Sequence, residues 1–193
     1  MKSIKSNLIL FLTLVAIAGN TLKAQEAQNN IPIEFSIGGA YTIAPTINIT
    51  GFWSGETEAS ANFYSAMADL TINNALTGRV VVSSLIPSSV SGSDREVESG
   101  FEMSGSMGYR LSFENNNKVT IPVMATLGYA SFKDTSGRRE VGMQVGGTAG
   151  INYSITEKFS LTGTVRYLKG VGFNDGSKVD QVDMSIGFMV RLF

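Results

Sequence analysis

Eight ionisable side chains are the first residues to weigh for chemistry. Glu34, Asp69, Glu102 and Asp183 are balanced by Arg79, Arg110, Arg166 and Arg191, spread over several apolar segments. Carboxylates alone can move protons, so acid–base chemistry is formally open to such a set. The chain has no histidine and no cysteine. That removes Ser-His-Asp triads, Cys-His pairs, imidazole and thiolate metal ligands, and disulfides. Ionisable groups without a nucleophile are more often stored ion pairs than a catalytic centre. If these eight share a narrow interior, they must pair there, and they read as a lumen plug. No catalytic residue, metal or cofactor is expected.

Two further groups invite a reading. Lys133, Arg139, Lys169 and Lys178 share one phase of their segments and lie toward the same ends of them. A collar of cations at that height would hold lipid A phosphates by charge-assisted hydrogen bonds. Gly146-Gly147-Thr148-Ala149-Gly150 suggests a phosphate loop, but no helix follows it and it sits inside an alternating run. It fails the context that motif needs, and close strand packing explains it better.

The elements that must position these residues show a period of two. From residue 101 to 113, Phe101, Met103, Met107, Tyr109, Leu111 and Phe113 alternate with Glu102, Ser104, Ser106 and Arg110. The same holds around Ile33–Ile43, Val119–Tyr129, Val141–Ile155, Phe159–Tyr167 and Val182–Leu192. Such alternation predicts strands with one apolar and one polar face. Two further strands, at 61–72 and 78–86, are predicted with weaker phase. Phe63 and Met67 fall opposite Tyr64, Leu70 and Ile72, and Val80-Val81-Val82 has no phase at all. An even strand number favours counting them, which gives eight.

The chain opens with an export signal: Lys2 and Lys5, then an apolar run from Leu8 to Ala18, then small residues. Cleavage is expected after Ala24, with Ala18 as the alternative site. The run is shorter than the ~20 residues that cross a bilayer as a helix. Losing Lys2, Lys5 and Lys23 with the signal takes the formal charge from −1 to −4. No basic stripe remains for nucleic acid. With no spanning helix after the signal, a closed barrel is the membrane-spanning option left. The expected organisation is a signal peptide at 1–24, a short segment at 25–32 and a barrel at 33–193.

Connections alternate in kind. Those at 73–77, 114–118 and 156–158 are short, and those at 45–60, 87–100, 134–138 and 174–180 are longer or more polar. Short turns at one end and longer loops at the other are the layout of outer-membrane barrels, turns in the periplasm. The strand directions then place Phe35, Phe113, Tyr153 and Phe159 near the periplasmic rim. Tyr41, Phe101, Tyr129, Tyr167 and Phe173 fall near the outer one. Two aromatic bands around an apolar waist suit the two bilayer interfaces. Pro122, inside a strand, predicts a bulge or late pairing.

The export signal, alternating strands, connection asymmetry and closing segment Met184-Ser185-Ile186-Gly187-Phe188-Met189-Val190-Arg191-Leu192-Phe193 resemble the small OmpA/OmpX-type outer-membrane barrels. The resemblance covers the mature chain, without the peptidoglycan-binding domain of longer OmpA-like proteins. It implies an eight-stranded antiparallel transmembrane β-barrel in the bacterial outer membrane, inserted by the barrel-assembly machinery. In that family the final aromatic shares the lipid-facing phase, whereas Phe193 has the phase of Arg191 and Asp183. Barrel enzymes of similar architecture that act on lipid A rely on histidine. Partners expected are outer-membrane lipid and lipopolysaccharide, with no nucleic acid and a monomeric state. The first function to expect is a structural, envelope-integrity or surface-interaction barrel working through its loops, including Phe52 and Trp53. A narrow porin-like pore and a soluble lipocalin-like ligand-binding barrel are the alternatives.

Overall fold

Alternation commits each segment to a strand, and such strands are stable in lipid only when the sheet closes and leaves no edge. The computed structural model describes residues 31–51, 55–91, 97–113, 116–134, 137–173 and 178–193. The predicted signal peptide, the segment up to residue 30, and Phe52 with Trp53 lie outside the described residues. Eight strands run in chain order: β1 (Ile33–Gly51), β2 (Gly55–Ile72), β3 (Leu76–Ser91), β4 (Val97–Phe113), β5 (Asn116–Asp134), β6 (Arg139–Ser154), β7 (Phe159–Phe173) and β8 (Lys178–Arg191). Each pairs antiparallel with its neighbour, and β8 pairs with β1 to close the barrel.

The register defines the tilt. A line of paired residues leaves β1 at Ser36 and passes through Asp69, Arg79, Ser106, Thr126, Gly146, Leu168 and Gln181. It re-enters β1 at Ile47. Paired residues therefore climb around the wall, as the shear of a tilted barrel requires. Side chains far apart in sequence but equal in phase meet in the lumen for this reason.

The faces are inverted relative to a water-soluble protein. Ile186 is 70% exposed, Met107 67% and Tyr64 66%, while Arg79, Glu102 and Asp183 are at most 2% exposed. A continuous apolar exterior of this kind is a surface made for lipid. The phase predicted for the six clear strands is the one observed. In β2 and β3 the structure supplies what the pattern lacked. Phe63 and Met67 point inward and are buried, Tyr64 points out, and Val80 lies outward of Val81.

Local chemistry sets the connections. Between β2 and β3, Asn73 and Asn74 adopt φ of 53° and 56°, and the Ala75 amide donates to the Ile72 carbonyl at 3.2 Å. Two consecutive left-handed residues make the type I′ turn that suits strand twist, and asparagine tolerates that region. Between β6 and β7, Thr156 Oγ1 accepts from the amides of Lys158 and Phe159 at 3.3 and 3.0 Å.

Two expectations need correction, and the odd phase of Phe193 is resolved by a terminal register change. Residues 45–60 are not a long loop: β1 continues to Gly51 and β2 starts at Gly55. Strand overshoot, more than loop length, distinguishes that end, and Pro45 lies where the register of β1 shifts, so a bulge absorbs it. Pro122 itself stays in register opposite Arg110, and the shift between β4 and β5 comes nearer the turn, between Ser112 and Phe113. β5 and β6 keep one register from Val119 to Lys133, and the ladder merely skips Ile121 and Pro122. Finally, the Phe35 amide donates to the Phe193 carbonyl while the Leu192 amide donates to the Phe35 carbonyl. Two residues thus oppose one, a bulge. It returns the Phe193 ring to the outer face, stacked on Phe35 at 5.6 Å.

Candidate functional site in the barrel lumen

Each inward-facing charge comes from the polar phase of a different strand, so the lumen is furnished from all round the wall. At the turn end, Arg110 of β4 donates to Glu34 of β1 at 2.5 Å, and Arg191 of β8 approaches the other carboxylate oxygen at 3.3 Å. These three, with Asp69, Asn152 and Ser160, line a polar cavity of about 340 Å³.

One layer further in, Asp69 and Arg79 face each other across β2 and β3. Two parallel bonds of 2.7 Å join them, the fork geometry that suits guanidinium and carboxylate. Hydroxyl chains follow the wall beside them. Ser83, Ser65, Thr42 and Ser185 are linked at 2.9, 3.0 and 2.8 Å, and Ser106, Thr126 and Thr148 at 2.9 and 2.7 Å.

The third group spans the lumen. Arg166 of β7 faces Asp183 of β8 and bonds it through Nε at 2.8 Å. Its Nη2 donates to Glu102 at 2.9 Å and its Nη1 to Ser104 at 2.9 Å, both on β4. Gln181 donates to Asp183 at 3.0 Å, and Gln144 donates to the Val179 carbonyl at 3.1 Å. Toward the loop end, Ala44, Ile47, Ala61, Phe63, Leu85, Ala130 and Val179 form an apolar cluster, with Phe132 packed against it.

The structure thus brings the eight predicted lumen residues together in three groups. Sequence reasoning missed the apolar cluster, because apolar residues on both faces of β2 looked like weak phase. It also missed Gln144 and Gln181 as members of the Arg166 group, although their inward phase was legible. Among the described residues no group of histidine, cysteine, aspartate or glutamate suits a metal by number and arrangement.

On the exterior, Lys133 and Arg139 face each other directly across β5 and β6, and Glu98 accepts from Lys133 at 2.5 Å. Lys178 lies opposite Thr50, near the loop end, whereas Lys169 sits lower, opposite Val145. The four are therefore a pair with two outliers rather than an even ring. Of the predicted aromatic bands, Tyr41, Phe101, Phe113, Tyr153 and Tyr167 are exposed, Tyr129 and Phe159 half-buried. Phe35 is buried, with the Phe193 ring stacked on it, and the Phe173 side chain lies outside the described residues. Tyr64, Tyr109 and Phe188, on the apolar phase of their strands but outside the predicted bands, are exposed aromatics too. Tyr64 meets Tyr41 edge-on at 5.8 Å, and Phe188 stacks on Phe159 at 6.1 Å.

A family model described as Opacity family porin protein matches residues 65–192. The chain belongs to that family. It is an integral β-barrel of the bacterial outer membrane, and the turn end accordingly faces the periplasm. The soluble ligand-binding alternative is thereby set aside. The fold is similar to that of neisserial surface protein A, at 17% identity and a TM-score of 0.62, covering 81% of this chain and 96% of that one. It is also similar to the outer membrane protein OprG of Pseudomonas aeruginosa, at 15% identity and 0.53, covering 83% and 95%. No curated protein matches the chain.

Proposed function

We propose that this Opacity-family protein is a sealed structural barrel that stiffens the envelope and presents its extracellular hairpins for surface contacts. The supporting observation is the occupied lumen. Arg166 bridges β4, β7 and β8, and the Phe63 cluster draws residues from β1, β2, β3, β5 and β8 toward the outer end. An eight-stranded interior is just wide enough for side chains to fill, whereas aqueous channels belong to much wider barrels of ~16 strands. The hairpin of β1 and β2 keeps its pairing to Gly51 and Gly55, so the wall itself extends outward as a rigid platform. Rigid scaffolds that display loops are the usual basis of surface recognition. The purified barrel is expected to give no discrete single-channel steps in planar bilayers. Stable steps would favour the narrow-pore reading instead.

Outer-leaflet lipopolysaccharide is the partner that the exterior favours. Like charges directly opposite each other destabilise a strand pair unless something neutralises them. Lys133 and Arg139 stand in that relation, with Glu98 on Lys133. Two outward cations side by side at that height give phosphate groups of the lipid interface a place to accept charge-assisted hydrogen bonds. Reversing Lys133, Arg139, Lys169 and Lys178 to glutamate is expected to strip lipopolysaccharide from the purified protein. Co-purification at the wild-type level would remove this part of the proposal.

A further inference from the structure

Around Arg166, three buried oxygens have no hydrogen-bond donor: Glu102 Oε1, Gln144 Oε1 and Gln181 Oε1. Their residues are 2%, 1% and 1% exposed. Gln181 shares its amide N–H groups between Asp183 and the Glu102 carboxylate, whose Oε1 is still left without a donor. Gln144 commits its nitrogen to the Val179 carbonyl, two residues away from Gln181 on β8. Both amides therefore leave their carbonyl oxygens unanswered in the same stretch of lumen. The charge is unbalanced as well. Glu102 and Asp183 share the single guanidinium of Arg166, while Arg79 of β3 is occupied by Asp69 of β2. Glu140 of β6 is a further buried acid with a contact of its own. β1 and β5 contribute uncharged residues here, Thr42 and Ala44, Thr126 and Ala130.

We propose that this centre binds one small monovalent metal cation, sodium or potassium, through Glu102 Oε1 and the carbonyl oxygens of Gln144 and Gln181. Buried polar atoms without partners in a native protein call for an ion or a water. One water donates two hydrogen bonds, carries no charge, and leaves one oxygen and the net negative charge unmet. One proton on Glu102 neutralises the charge but serves only one further oxygen. A hard cation takes several oxygens at once, and a single positive charge cancels the excess of one carboxylate. A divalent ion overshoots that balance.

Purified barrel refolded in sodium, potassium or tetramethylammonium chloride at one ionic strength provides the test. A ligand that binds the folded state raises its apparent stability, so the unfolding midpoint is expected to be a few degrees higher in sodium or potassium. Glu102→Gln is expected to abolish that difference. Crystals of the wild type grown with thallium(I) or rubidium are expected to show an anomalous peak among the three oxygens. Absence of that peak overturns the site whatever the midpoints do. A midpoint that follows pH but not the cation also overturns it, and assigns the missing charge to a proton.

Discussion

Arg166→Leu is expected to lower the stability of the barrel by roughly 3–5 kcal/mol, the loss that follows when one partner of a buried ion pair is removed. The guanidinium serves Glu102, Asp183 and Ser104 at once, and leucine satisfies none of them. Two buried carboxylates would then face each other without a counter-charge. The urea midpoint for unfolding in detergent, read from the mobility of unboiled samples on gels, measures the effect. Combining Arg166→Leu with Glu102→Gln and Asp183→Asn is expected to recover much of the loss. Residues in one network are not additive, and the cost lies largely in the uncompensated charges. Arg110→Leu should cost less, about 1–3 kcal/mol, because Arg191 still attends Glu34 beside the open cavity. If Arg166→Leu unfolds at the wild-type urea concentration, the lumen network is not what holds the barrel together.

Gly146→Val is expected to yield no folded barrel, whereas Gly147→Ala folds normally with a change within ~0.5 kcal/mol. The neighbours lie on opposite faces of β6. A Cβ on Gly146 would run into the Tyr167 carbonyl oxygen, backbone that cannot yield without breaking the β6–β7 ladder. A Cβ on Gly147 meets its nearest atom, the Met124 carbonyl oxygen, at 3.6 Å, ordinary van der Waals contact. Close approach of the neighbouring backbone is one of the few reasons for glycine inside a strand. The difference in gel mobility between cold and boiled samples separates the two variants. A full yield of the compact species from Gly146→Val would contradict the packing of β6 against β7.

The sequence alone determined which face of each clear strand meets lipid. A strand's side chains alternate whatever its partner is, so Glu102, Arg166 and Asp183 could be assigned inward from their neighbours. The alternation of chain ends and the outer-membrane address were legible along the chain as well, while the count of eight needed the even strand number of such barrels to include β2 and β3. What only the tertiary structure decided is which residues meet. Arg166 finds Glu102 across the lumen because eight registers and the tilt they impose bring β7 opposite β4. No local pattern carries that information. The same holds for Phe63. In sequence it weakened the phase of β2, yet in space it meets Leu85, Ala130 and Val179 and fills the barrel toward its outer end. The stack of Phe193 on Phe35 depended on a bulge where the last strand joins the first. A bulge is a property of a strand pair, so it becomes visible only once the sheet has closed.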